Sequence, residues 1–219
     1  MNQSLKDKIP YWHFDKDIMV FEDGSLGKGY QLEGFDINCT TGEKINQLSL
    51  SLEHLLTGTA EGLSLQFFYK VSANYKDEIG NHHQVSNKAP AIYSDIKTAR
   101  FEFFKSNIKY KNYFKSEIYL FVRSTKHQYS KQKFWESLKK YEPILKNEYE
   151  AFKKRFLRSC QQIENALNHC ALNPKILNSS EWHSICFKYF NLERVETLGV
   201  LQYRDESLYL APNFSEQLA

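Results

Sequence analysis

Between Ile9 and Val71 the apolar positions change rhythm three times, and each rhythm predicts a different element. An aromatic-rich opening, Tyr11-Trp12-His13-Phe14, leads into two apolar strand candidates joined across Asp23-Gly24. An Asp-Gly pair between apolar runs is the strongest local signal for a hairpin. Ile45, Leu48, Leu52, Leu55 and Leu56 then recur at helical spacing within residues 44–56, which predicts an amphipathic helix. Leu63, Leu65, Phe67, Tyr69 and Val71 alternate, as in a half-buried strand. Residues 74–90 are polar and read as a loop. Residues 93–108 read as a helix, with Ser94 or Asp95 as its cap. The nearly continuous apolar run Glu117–Arg123 has the character of a buried central strand. The first 124 residues thus order as strand pair, helix, strand, helix, strand. The expected fold is α+β: a mixed, mainly antiparallel sheet with helices covering one face.

Residues 131–172 form the longest periodic stretch, from Phe134 and Leu138 through Phe152, Phe156, Ile163 and Leu167 to Cys170. Pro143 lacks an amide donor and clashes with the preceding turn. It therefore divides the stretch into a short helix ending near Tyr141 and a longer one reaching Leu172. Asn173-Pro174 stops that helix, and Ser179 or Ser180 is the expected cap of the next, over 181–190. Residues 197–211 read as a hairpin and 212–219 as a linker. The expected organisation is one domain over 1–211, with a helical subregion at 131–190.

The element order, the "EDGSLG" turn, the "GLSLQFF" strand and the segment LNSSEWHSICFKYFNLER (Leu177–Arg194) resemble the amino-terminal domain of TraC-type conjugation ATPases. These are the motor proteins of type IV secretion systems. The resemblance implies a non-catalytic docking domain that recruits and orients a motor at the cytoplasmic face of the inner membrane. Implied partners are inner-membrane and scaffold subunits and neighbouring copies in a ring, and residues 212–219 would lead toward the motor. ATP and magnesium would belong to the motor of such a parent, not to this chain. A Walker A loop needs Gly-x-x-x-x-Gly-Lys-Ser/Thr so that backbone amides cradle phosphates. The nearest run, Gly24-Ser25-Leu26-Gly27-Lys28-Gly29, has the wrong spacing and a glycine where the hydroxyl belongs. It also lies between strands, whereas a P-loop must lead into a helix. No ATP hydrolysis is expected of this chain.

Composition refines this picture. A 219-residue chain with 42% hydrophobic and 15% aromatic residues can bury a sizeable core and is not disordered as a whole. No apolar run approaches a membrane span. The opening MNQSLKDK lacks the apolar core of a signal peptide, so a cytoplasmic location is expected, and the resemblance implies a place peripheral to the inner membrane. Net charge is +3, but residues 97–158 hold 17 Lys and Arg against 6 Asp and Glu, a net of +11. Acidic segments flank this basic block. Such asymmetry marks either a solvated helix face or a surface for nucleic acid, anionic lipid or an acidic partner.

Candidate chemistry is sparse. Cys39, Cys160, Cys170 and Cys186 are scattered and read as reduced, mostly buried thiols. His169, Cys170, His183 and Cys186 fall within eighteen residues. Yet His169 and Cys170 are adjacent and point to different faces, unlike the spaced pairs that hold tetrahedral zinc, so no metal or other cofactor is assigned. No nucleophile elbow or cysteine-protease signature is present, so no catalytic residue is assigned. The acids Asp15, Asp17, Glu22 and Asp23 read as solvating and turn-forming residues. For partner binding the candidates are Tyr11, Trp12 and Phe14, as an aromatic anchor, and Lys153, Lys154, Arg155 and Arg158. Core closure of the sheet edge is the alternative for the aromatic set. For the basic set the helical stripe places all four on the surface. A free-standing nucleic-acid-binding protein is the alternative function. There Lys105, Lys109, Lys111 and Lys115 would track phosphates while Tyr110, Tyr113 and Phe114 stack on bases. Phe101, Phe103 and Phe104 are expected in the core.

Overall fold

The structure, a computed structural model, describes residues 10–34, 40–72, 79–81, 84, 93–109, 114–125, 146–191, 193–195, 199–200, 202–203 and 214–218. Its strands are β1 (Tyr11–Asp15), β2 (Ile18–Phe21), β3 (Leu26–Leu32), β4 (Leu63–Ser72), β5 (Lys115–Ser124) and β6 (Lys175–Ile176). Its helices are α1 (Gly42–Thr57), α2 (Ser94–Lys109), α3 (Lys146–His169), α4 (Ser179–Phe190) and α5 (Phe214–Leu218). The strands form one antiparallel sheet in the order β1-β2-β3-β5-β4, with β6 paired to the far end of β3. The class is α+β, as the pattern of apolar positions predicts. Contacts divide the chain into two compact units, residues 1–68 with 119–219, and residues 69–118.

In the larger unit the Asp23-Gly24 hairpin forms where the sequence places it. Gly24 takes φ 76°, a left-handed conformation that glycine adopts without steric cost. The Asp23 carboxylate accepts bonds from the Ser25 amide and hydroxyl. The turn is pinned from across the sheet by Arg123 of β5, whose guanidinium bonds Asp23 and Ser25 and lies 4.1 Å from the Phe21 ring centroid. Burial alone would raise the Asp23 pKa, but the Ser25 bonds and Arg123 outweigh it and hold the carboxyl below its usual range. Gly27, Lys28 and Gly29 belong to β3, so the glycine-rich run is a turn followed by a strand. Ahead of it a bulge between Tyr11 and His13 interrupts the β1–β2 ladder.

The alternation of β3 separates two layers. Lys28 and Tyr30 point to α3, where both donate to Glu164 Oε1 at 2.9 and 2.8 Å. Gly27 and Gly29 point to α4, where the Trp182 indole covers them. Helices therefore pack on both faces, not on one as expected, because the stripe of α3 (Phe156, Cys160, Ile163, Leu167) and the stripe of α4 (Trp182, Cys186) each need a partner surface. Helix α1 packs on α3 and buries only Leu55. Leu56, expected on the same apolar face, is 56% exposed.

Three further expectations change. Along β4, Leu63 and Leu65 are half-buried, but Phe67, Tyr69 and Val71 are exposed. From Phe68 onward the residues of the opposite face are the more covered. Helix α4 is capped by Asn178 and not by a serine. The Asn178 side chain accepts from the Glu181 amide, and Glu181 returns a bond to the Asn178 amide, a complete capping box. Residues 214–218, expected within a linker, form α5, with Phe214 and Leu218 fully buried beside Phe14, Trp182 and Phe187. The gain from burying two large apolar side chains outweighs the cost of ordering so short a segment. The expected hairpin at 197–211, the loop at 74–90 and the helix ending near Tyr141 lie wholly or largely outside the described residues.

The smaller unit holds residues 69–72 of β4, 115–118 of β5, and α2. Lys70 and Glu117 pair across its two strands at 2.5 Å. Phe101 and Phe104 are only half-buried, and Phe103 is 58% exposed, so the expected core role of these rings does not hold. Along the helix Phe103 lies against Phe104, with Arg100 over Phe104 and Lys105 over Phe101.

Candidate functional site

Helix α4 supplies the site its floor. From the Asn178 cap, residues 182, 185, 186 and 189 recur at helical spacing and turn toward the sheet. Trp182 anchors this face. Its indole lies edge-on to Phe121 at 4.8 Å and to Phe14 at 5.7 Å, and rests where Gly27 and Gly29 carry no side chain. An aromatic body held by edge-to-face rings is stiff, so the geometry beside it is preformed.

Alongside Trp182 an open groove of about 330 Å³ runs between α4 and strands β4 and β5. Phe68, Phe121, Tyr11 and Phe21 form one wall, and Ile185, Tyr189 and Phe190 the other. Tyr189, 60% exposed, stands at the rim with its ring edge-on to Phe68 at 5.5 Å. Ser64, Gln66 and Arg123 are the polar groups of the lining. The Arg123 cation is already oriented by Asp23 and Ser25. At the base, burial pushes the Cys186 thiol up to about 12, against lowering by the nearby Tyr11 hydroxyl and Trp182. Burial, with a smaller part from Cys186, raises Tyr11 as well. Both groups are thus neutral, and Cys186 offers a weak donor in place of a thiolate nucleophile. The groove presents aromatic surface with a few fixed polar atoms, the make-up of a binding site.

The structure separates the residues proposed together for partner binding. Tyr11 is part of the groove wall, and Phe14 lies buried between Trp182 and Phe214. The bulge in β1 leaves Trp12 outside, 52% exposed. The basic set lies on the other face of the sheet. Lys153, expected at the surface, is drawn in to Asp15 at 2.5 Å, and the Tyr149 hydroxyl donates to the same carboxylate oxygen. Burial acts to raise the Asp15 pKa, but these partners prevail and lower it. Asp15 and Asp23, read from sequence as solvating and turn-forming acids, are ion-paired, and Asp23 also forms its turn with Ser25. Lys154 and Arg158 remain exposed, with Leu157 between them, on a shallow concave surface. Arg155 is exposed as well.

Of the nucleic-acid set, Lys105 is exposed beside Phe101, and Lys115 is half-buried in β5. The Lys109 side chain and Tyr110, Lys111 and Tyr113 lie outside the described residues. Cys160, Cys170 and Cys186 are free and buried, as expected, and Cys39 is outside the described residues. Among the described residues no three metal-ligating side chains converge, and no helix is long and apolar enough to cross a membrane. The groove residues that sequence reasoning passed over are Phe68, Phe121, Arg123 and Tyr189. The strand reading of Glu117–Arg123 was the signal for two of them, since a strand's period of two puts Phe121 and Arg123 on a common face.

No family model and no curated protein matches the sequence.

Proposed function

We propose that this chain is a docking module that takes an apolar segment of a protein partner into the groove between α4 and strands β4 and β5. The observation that carries this reading is the groove itself: preformed around Trp182, walled by aromatic rings, and rimmed by the exposed Tyr189. Aromatic side chains around a partly desolvated pocket are the usual anchors of protein association. The resemblance to TraC-type amino-terminal domains suggests where such a partner belongs, in the inner-membrane complex of a type IV secretion system. On that reading the module anchors a secretion motor and does no chemistry of its own. The exposed cations Lys154 and Arg158 sit on the opposite face, free to orient the complex by charge.

The test is a photo-crosslinkable amino acid placed at Tyr189 in the full chain, expressed in the source cells, with Lys154 as a second position. The expected adduct at Tyr189 is an inner-membrane protein of a secretion apparatus, and Phe68→Asp removes it. An adduct that survives Phe68→Asp, or none at Tyr189, overturns the reading. The nucleic-acid alternative predicts instead a steeply salt-dependent affinity for single-stranded DNA, abolished when Lys153, Lys154, Arg155 and Arg158 become Glu. An immunoblot for the native product separates the two further. A species several times 25.8 kDa carries the module on a motor.

A further inference from the structure

Helix α5 is contacted by a buried titratable side chain of α4. His183 of α4 is 1% exposed. Its ring stacks on Phe187 at 5.7 Å, lies against Tyr203 at 5.6 Å, and meets the edge of Phe214 at 5.5 Å. A hydrogen bond runs from Nε2 to the Gln217 carbonyl oxygen of α5, at 3.3 Å. Since a carbonyl only accepts, Nε2 carries the proton of the neutral ring. Nδ1 then faces the core as an acceptor, with no hydrogen-bond partner among the described residues. A second bond, from Asn191 Nδ2 to the Leu218 carbonyl at 2.8 Å, closes the end of the helix.

We infer that α5 is an acid-releasable strap, latched onto α4 by neutral His183 and freed when that ring takes up a second proton. The added proton would sit on Nδ1, where a new donor meets apolar neighbours and, among the described residues, no acceptor. A buried polar group without a partner is costly, and a buried charge more so. Among the described residues the groups against the ring do not offset it. Phe187 and Phe214 are hydrocarbon, Tyr203 is an uncharged phenol at acidic pH, and Gln217 contributes a carbonyl already engaged by Nε2. The ring faces of Phe187 and Tyr203 return part of the cost by cation–π attraction, without supplying the missing acceptor. Release is the less costly response, because α5 is only five residues long and leaving takes His183 to water while the sheet stays paired. It also uncovers the apolar cluster on which Phe214 and Leu218 now sit, including Phe14 and Phe187.

The sign is set by burial, which lowers the His183 pKa against a smaller raising effect from Gln217. A histidine depressed in the docked state binds more protons when released. The strap is therefore fully latched above the ordinary histidine pKa, near 6.5, and loosens as pH falls below it.

The experiment places 4-fluorophenylalanine at position 214 of the full chain and follows its fluorine NMR signal from pH 7.5 to 5.0. A second resonance, from the released helix, is expected to grow at least fivefold across this range while β3 amides keep their protection from exchange. His183→Gln keeps a donor for Gln217 but cannot titrate, and should hold one docked resonance throughout. A wild-type signal that ignores pH, an unchanged response in His183→Gln, or loss of β3 protection in step with release would each overturn the inference. Should the variant fail to fold, titration of the wild-type His183 ring decides. A ring that protonates at or above the ordinary histidine pKa with Phe214 still docked excludes the latch.

Discussion

Gly29→Ala tests the packing on which the groove depends. A Cβ built on Gly29 would lie 2.8 and 2.9 Å from Cζ3 and Cε3 of Trp182 and 3.0 Å from Cδ1 of Leu177. Carbon pairs rest comfortably at roughly 3.5–4.0 Å, so one methyl group creates three overlaps at once. Trp182 cannot step back, since Phe14 and Phe121 hold its other edges. Overpacking of this kind costs about 1–3 kcal/mol. Loss of glycine's freedom in the unfolded chain returns about 0.4–1 kcal/mol, leaving a net destabilisation of about 1–2 kcal/mol. With a urea dependence of about 1–3 kcal/mol per molar, the midpoint followed by circular dichroism should fall by roughly 0.5–1 M. Gly34→Ala is the control, as nothing lies within 4 Å of its Cβ, and it should be neutral or slightly stabilising. Trp182→Phe removes the benzo ring that the new methyl strikes. The cost of Gly29→Ala should therefore be smaller in that background, a coupling of the sort double-mutant cycles read. A Gly29→Ala protein as stable as the parent, or a penalty unchanged by Trp182→Phe, would refute the proposed contact between α4 and β3.

Two further outcomes follow from the same geometry. Asn178→Ala opens the capping box of α4 and should lower stability by about 1 kcal/mol, seen as a lower urea midpoint, while Ser179→Ala should cost much less. Asp15 has its pKa depressed in the folded chain by Lys153 and Tyr149 despite burial, so its stabilising effect is present above the unfolded carboxyl pKa and is lost as pH falls through the folded value. Asp15→Asn should accordingly be less stable than the parent at neutral pH, with the gap closing in urea titrations toward pH 3. A gap that persists in acid would remove the ion pair as its cause.

Much of this protein is determined by local sequence. Asp23-Gly24 specifies its hairpin because few residues but glycine take the backbone that the turn requires. Glu117–Arg123 is apolar enough to be only a central strand, and the stripe from Phe152 to Leu167 fixes α3 by its period. What the sequence alone could not decide is which surface each stripe meets. Covering both faces of the sheet depends on Lys28 and Tyr30 reaching Glu164 across more than 130 positions of chain, while Gly27 and Gly29 admit Trp182 behind them. Phe67, Tyr69 and Val71 alternate like a buried set yet stay exposed, because alternation assigns residues to a common face without saying what covers that face. Phe214 and Leu218 give no periodic signal in so short a segment, and only the pocket beside Phe14, Trp182 and Phe187 makes them core. Lys153 looks like its neighbours Lys154 and Arg155, and its ion pair with Asp15 draws it in. Local propensity and period set the elements here. Tertiary contacts between residues distant in sequence, each requiring a shape or a charge to meet its complement, set the groove and the strap.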